Sequence, residues 1–294
     1  MSISKQTTII IVTIRGKISI NSLKSLYKKY RIIIIENTNN KAFKKKIKNK
    51  FNNIEVYLSK KNLGFGKANN LGIKKVKTPH TLMINPDVEI RYKDVSKLEI
   101  YAKKINDFSI LTVYSNGIEQ IMNANLDKVD NSFHLRLNNR KKKQKIPWVP
   151  GWCMYCKTDD LNKIKGFDEN YYLYFEELDL CKRLKKMNKS FYLINDIKIF
   201  HKYHGTEDGL SDKMKKKYWY FRMWHYYWSS FYYHRKHYGY FKALKFHLSK
   251  LARFCIIKNY YLLNNKDNTP IEEAKFKGLL NSILSKKSHL RLKL

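Results

Sequence analysis

Apolar residues follow two alternating rhythms in the first part of the chain. Compact apolar runs fall at Thr7–Ile14, Arg31–Glu36, Ile54–Leu58, Thr81–Ile84 and Phe108–Val113, a length and β-branched content that predict strands. Between them, amphipathic stretches of helix length lie near Ile20–Tyr30, Lys41–Phe51, Gly66–Lys75 and Tyr92–Lys104. Strand and helix taken in turn predict an α/β fold, a Rossmann-like three-layer α/β/α arrangement with a mostly parallel central sheet. Ligands of such sheets bind beyond the carboxyl ends of the strands. Asn37, Asn62 and Asp87 each fall just after such an end.

From Asn123 to Lys145 the pattern dissolves into polar and basic residues, which reads as a mobile loop or irregular insertion. Order returns with a strand over Trp148–Lys157, a short helix over Thr158–Ile164 and a longer helix over Glu176–Met187, then strands at Ser190–Ile194 and Ile197–His201. Leu180, Leu184 and Met187 recur at helical spacing and are expected to face the core. After about Ser211 the composition turns dense in aromatic and basic residues. The expected division is therefore residues 1–210 as an α/β domain and 211–294 as a C-terminal helical module.

Composition narrows the partners without choosing among them. The 294 residues hold 60 Lys+Arg against 24 Asp+Glu, a formal charge of +36, which attracts nucleic acid, anionic lipid or phosphorylated substrates alike. Thr7–Ile14 is too short for a secretory h-region with its cleavage site, and no apolar run reaches spanning length. The expectation is a cytoplasmic protein, peripheral at most at the inner face of a membrane. Cys153, Cys156, Cys181 and Cys255 lack the spacing of a disulfide scaffold. Cys153 and Cys156 with His201 and His204 make a poor zinc set, because residues three apart on a strand point to opposite faces.

Grouped acids stand out in so basic a chain. Asn85-Pro86-Asp87 follows an apolar run, and such a tripeptide is by itself a common turn. At the carboxyl edge of a sheet, however, Asp87 and diphosphate oxygens can hold Mg²⁺ or Mn²⁺, which favour hard oxygen ligands. Asn62, Gly64, Lys67 and Asn70 surround the entrance to a helix, where glycine admits a nucleotide and the helix N-terminus attracts phosphate. Glu176, Glu177 and Asp179 share one helical turn after the apolar Tyr171–Phe175. Acids there either complement the helix dipole in solvent or, crowded beside a cleft wall, have raised pKa values that suit a general base. His201 ends a strand, and a fold that returns it to Asp87 would let it touch the metal or the diphosphate. The aromatic stretch from Tyr218 to Tyr238 suits core packing, a membrane interface or base stacking, and no nucleic-acid signature accompanies it.

Taken in order, Val12-Thr13, Glu36-Asn37, Asn62 to Asn70, Asn85 to Glu89, Gly166 to Glu169, Tyr174 to Cys181 and His201 resemble family 2 glycosyltransferases, above all the rhamnosyltransferase-like branch. The resemblance covers roughly residues 7–206, and Arg235–Gly239 is similar to that branch's C-terminal region. It implies a GT-A fold, a nucleotide-sugar donor (dTDP- or UDP-linked), a divalent metal and inversion at the anomeric carbon by direct displacement. It also implies roles: Asp87 as the metal-binding acid, Glu177 as the catalytic base, Thr13 and Glu36 at the nucleoside, and Asn85 at the donor. Gly151 and Trp152 would line the sugar pocket, with Glu176 and Asp179 on the acceptor side.

Three departures accompany it. Ile14-Arg15 replaces the usual Tyr-Asn, Glu36-Asn37-Thr38-Asn39 replaces Asp-Asn-Ala-Ser, and Glu177 replaces Asp. The last moves the carboxylate by about 1.5 Å. The expected reaction is transfer of a sugar, rhamnose from dTDP-rhamnose as the example, to a hydroxyl of a glycan or lipid-linked glycan. A non-catalytic, basic membrane-surface or nucleic-acid-binding protein that keeps the fold is the alternative. A sugar nucleotidyltransferase would need a Gly-rich loop after its first strand, and Gly16 alone does not supply one.

Overall fold

The computed structural model describes residues 3–116, 118, 137–138, 140–202, 210–264 and 269–292. They form two compact units: Met1–Asp168 with Glu177–Thr206, and Glu169–Glu176 with Glu207–Leu294.

The first unit is built on strands β1 (Thr7–Thr13), β2 (Arg31–Glu36), β3 (Ile54–Leu58), β4 (His80–Ile84), β5 (Val88–Glu89), β6 (Phe108–Ser115), β7 (Lys143–Ile146), β8 (Cys153–Lys157) and β9 (Ser190–His201). Helices α1 (Ile20–Leu26), α2 (Lys41–Lys50), α3 (Phe65–Ile73), α4 (Tyr92–Lys104), α5 (Thr158–Lys163) and α6 (Glu176–Lys185) connect or flank them. The strand order is β3-β2-β1-β4-β8-β6-β9-β5, with β7 paired to β9. β1 pairs parallel with both β2 and β4, and β2 with β3. Ile9, Ile10 and Ile32 to Ile35 are fully enclosed, which explains their unbroken apolar runs: a strand covered on both faces has no solvent side to keep polar.

β8 enters antiparallel between β4 and β6, with Leu82 opposite Tyr155 and Leu111 opposite the same tyrosine. It is shorter than the expected Trp148–Lys157, since Pro147 and Pro150 cannot donate to a ladder. The two strands expected near residues 190–201 are one, β9, whose register with β6 shifts between Val113 and Tyr114. Most of the expected irregular insertion lies outside the described residues, but its end, Lys143–Ile146, is strand β7 on the edge of β9. Its lysines disguised it, and lysine is what an edge strand tolerates. Leu180 and Leu184 are buried as expected, whereas Met187, past the end of α6, is 38% exposed. Cys153 and Cys156 are buried free thiols, and His204 lies outside the described residues.

The second unit holds the long helices α7 (Asp212–Tyr238), α8 (Tyr240–Leu263) and α9 (Thr269–Ile283). The aromatic stretch is largely its core: Trp224, Trp228, Phe231 and Tyr233 are buried along α7. The segment Glu169–Glu176 packs into that aromatic array, with Tyr171 against Tyr232 and Tyr172 stacked on His225. Burial drives the imidazole of His225 down to about 3, so it stays neutral while bonding Leu290 O and Ser288. Among the described residues no helix is long and apolar enough to cross a membrane.

Candidate active site

At the carboxyl ends of β1, β2 and β3, polar side chains order three loops. The Thr13 hydroxyl, fully enclosed, donates to Lys17 O at 2.5 Å. Glu36 is also fully enclosed, and its carboxylate accepts from Thr38 N at 3.1 Å and Asn40 N at 2.6 Å. It therefore fixes the entry to α2, where Asn40 is the N-cap. Asn37, noted in the sequence for following a strand and in the Glu36-Asn37 motif, is the hub of this end. Its amide nitrogen donates to Asn62 Oδ1 (3.0 Å) and Gly64 O (3.3 Å), and its oxygen accepts from Ser59 (3.0 Å) and Leu63 N (3.0 Å). Asn62 Oδ1 also accepts from Gly64 N at 3.0 Å. Gly64 has φ +83°, a conformation that disfavours any Cβ, and it caps α3 without a side-chain bond. The first-turn N–H groups of α3 thus meet the loop with half-buried Lys67 among them.

The second cluster is made by strand pairing. Asn85 N donates to Trp152 O at 2.9 Å, and Val88 N closes the turn onto Asn85 O at 3.2 Å. β5 then pairs antiparallel with the end of β9, setting Val88 opposite His201. That register brings His201 Nε2 to 3.2 Å from Asp87 Oδ1, with the histidine side chain 8% and the aspartate 25% exposed. Asn116 holds the histidine's backbone from both sides, accepting from His201 N (2.9 Å) and donating to His201 O (3.0 Å). The Trp152 ring lies 5.4 Å from the imidazole, and Gly151 precedes it beside Phe65. Glu89 is exposed one residue beyond Val88.

These residues suit a hard divalent cation. Asp87 supplies a partly open carboxylate and His201 an imidazole beside it, and among the described residues no group of three or more His, Cys, Asp or Glu surrounds a metal position. A cation held by so few protein ligands takes its other oxygens from phosphate and water, which is how Mg²⁺ and its like sit at nucleotides.

The acidic turn is held by other means. Tyr174 and Phe175 both have φ +68°, two successive side-chain-bearing residues in the left-handed region, a costly conformation that persists only when its surroundings impose it. Here Arg222 Nε donates to the Tyr174 hydroxyl, Ser229 donates to Leu173 O at 2.9 Å, and Phe175 packs against Tyr226 and Tyr233. α6 starts directly afterwards, and the division between the two units falls between Glu176 and Glu177. Glu176 is buried. Glu177 keeps a partial opening to solvent, and its carboxyl is pushed up to about 7 by desolvation, against a smaller opposing backbone hydrogen bond.

Asp179 and Asn70 serve this turn structurally. Asp179 is fully enclosed and accepts from Arg183 Nε at 2.7 Å, while the same guanidinium donates to Ile164 O and Gly166 O. Asn70, expected at the donor, joins its amide to the backbone of Phe167, donating to O and accepting from N at 2.9 Å each. Gly166 has φ +66°, and a Cβ there would sit 2.3 Å from Asn70 Oδ1. Asn116 and Arg183 are thus the residues that the sequence reading missed. Asn116 follows the end of β6, which was its one legible signal.

Comparison with known proteins bears on this geometry. The family model described as Glycosyl transferase family 2 matches residues 17–165. Rhamnosyltransferase WbbL of Escherichia coli (strain K12) is 26% identical over 149 residues, 44% of this chain and 56% of the relative. The N-acetylglucosaminyl-diphospho-decaprenol L-rhamnosyltransferase of Mycobacterium tuberculosis is 34% identical over 62 residues, 21% of this chain and 20% of its own length. The match thus spans just over half of the first relative and a fifth of the second. Among solved structures, the mannosyltransferase PcManGT from Pyrobaculum calidifontis, in complex with GDP-Man and Mn²⁺, superposes with TM-score 0.56 at 11% identity, covering 96% of this chain and 88% of its own. GalNAc-T7 with UDP, GalNAc and Mn²⁺ gives 0.54 at 12% identity, covering 67% and 43%. The sheet and its helices have the expected GT-A fold.

Proposed function

We propose that this chain, which belongs to glycosyl transferase family 2, moves a sugar from a dTDP- or UDP-linked donor to a hydroxyl of a glycan or lipid-linked glycan, with inversion. The observation that carries this reading is Glu177, a carboxyl raised to about 7 in the same compact unit as the Asp87–His201 pair. A base of that strength is half ionised near neutral pH and accepts a hydroxyl proton readily.

Glu177 takes the proton of the acceptor hydroxyl as that oxygen bonds to the anomeric carbon. The bond from that carbon to the diphosphate breaks on the opposite face, and the nucleoside diphosphate leaves with the electron pair. Asp87 and His201 would hold Mg²⁺ or Mn²⁺, which when bound offsets negative charge on the diphosphate. The Gly64-capped start of α3, with Lys67, faces the diphosphate, and Thr13, Glu36, Asn62 and Asn85 shape the nucleoside end. Gly151 and Trp152 line the sugar side and Glu176 the acceptor side, while Asp179 acts through Arg183 and Asn70 through Phe167. Rhamnose and a lipid-diphosphate acceptor draw their support from the names of the two relatives. Residues 1–210 would be catalytic and 211–294 an accessory helical domain, working at the cytoplasmic face of a membrane.

A thermal-shift series with dTDP-, UDP- and GDP-sugars, each with Mn²⁺ or with EDTA, tests the reading, because a specific ligand stabilises by mass action. The expected result is an Mn²⁺-dependent rise in Tm with one nucleotide class, absent from Asp87→Ala. A folded protein that responds to none of them, yet binds polyanions with steep salt dependence, would overturn it in favour of the non-catalytic alternative.

A further inference from the structure

Helix α8 carries a face that its own unit does not use. Ala243, His247 and Phe254 turn into the core of the second unit. On the opposite side Phe241, Leu248, Ala252, Ile256 and Leu263 succeed one another by steps of seven, four, four and seven, each of which returns to the same face of a helix. Phe241 is 84% exposed, Leu248 56%, Ile256 69% and Leu263 83%. Single exposed apolar residues need no explanation, but a one-sided row about 33 Å long, interrupted on its face by Lys245 and Asn259, does.

Charge identifies what covers it. Tyr240–Leu263 contains Lys242, Lys245, Lys250, Arg253 and Lys258 and no Asp or Glu. Lys242 and Arg253 fall on the flank of the stripe and Lys245 within it. A second copy would set these cations against each other, and of Phe241, Leu248, Ile256 and Leu263 only the first has a ring, too little for a base-stacking platform. An anionic bilayer satisfies both features, taking the apolar residues between its acyl chains while Lys and Arg stay at the headgroups.

We propose that α8 docks the protein flat on an anionic lipid surface through Phe241, Leu248, Ile256 and Leu263. The sequence had offered the aromatic stretch of α7 for this role, but apart from exposed Trp219 those rings are buried or half-buried. The inference does not depend on the proposed reaction, and its test uses no activity.

The full chain is floated with vesicles of phosphatidylcholine alone and of phosphatidylcholine mixed with phosphatidylglycerol. Flotation with the mixed vesicles only is expected. In Leu248→Asp/Ile256→Asp the partition coefficient should fall about tenfold or more, since two inserted side chains are lost. Both sites are exposed, so circular dichroism and Tm should match the parent, and the milder Phe241→Ser should show a partial loss. Absence of flotation by the parent, or unchanged flotation by the double variant, would overturn the proposal. So would a dimer in light scattering that the double variant abolishes, because the stripe would then be a contact between copies.

Discussion

Asp87 and Glu177 belong to the same compact unit, yet the fold treats them in opposite ways. Asp87 sits in a turn fixed by backbone pairing of β5 with β9, a quarter exposed, with an imidazole 3.2 Å away. Glu177 follows two left-handed residues clamped by an aromatic array, and desolvation rather than a counter-charge sets its acidity. A carboxylate meant to hold a cation needs an open edge from which the ion and its other oxygens can approach, and Asp87 has one. One meant to accept a proton has to hold its charge at some cost, and removal of water provides that. The same functional group thus acquires two chemistries from two kinds of scaffolding.

Removing the base should give the largest effect. Glu177→Gln is expected to lower kcat by roughly 10²–10⁴ while the Mn²⁺-dependent thermal shift by donor survives. Loss of both together would show that Glu177 holds the donor site rather than the proton. Next, Asp87→Asn should lower turnover by about 10²–10³ and erase the difference between Mn²⁺ and EDTA in donor binding. Retained metal dependence there would leave Asp87 a turn residue.

The two asparagine clamps separate the regions more finely. Asn116→Ala and Asn70→Ala should each cost about 1–3 kcal/mol, since backbone groups lose their partners. Asn116→Ala should also raise the Mn²⁺ concentration for half-maximal donor binding, while Asn70→Ala leaves that concentration alone. Equal effects on metal response would dissolve the distinction between the clamps.

The smallest effect is a pH dependence. Between the ordinary carboxyl value of 4.5 and about 7, folded Glu177 keeps a proton that the unfolded chain has released. The folded state binds more protons there, so this group's contribution to stability falls as pH rises through that window and is flat outside it. Glu177→Gln should therefore gain Tm relative to the parent as pH climbs from 5 to 8, with no gain at pH 4. In the parent, kcat/KM should rise through a limb near 7 as the base ionises.

Much of this was legible beforehand. The N-terminal strands announced themselves because burial on both faces forces unbroken apolar runs, and the two acidic signatures stood out against a basic background. β7 was hidden by lysines that an edge tolerates, and the antiparallel entry of β8 was invisible because a strand's side-chain pattern reads the same in either direction. The aromatic stretch was ambiguous among core, lipid and nucleic acid until packing placed it inside and left α8 with the exposed face.

The sequence by itself determined which residue types were present for the chemistry: an acid at the end of β4, a carboxylate turn at the start of α6, and glycine where the chain turns left-handed at Gly64 and Gly166. Tertiary structure alone decided how each would behave. The pairing of Asp87 with His201, the grip of Asn116 on His201 across 85 positions, and that of Asn70 on Phe167 across 97 all depend on segments meeting after the chain folds. The raised carboxyl of Glu177 is likewise a property of its surroundings, because desolvation depends on how much protein collects around a group.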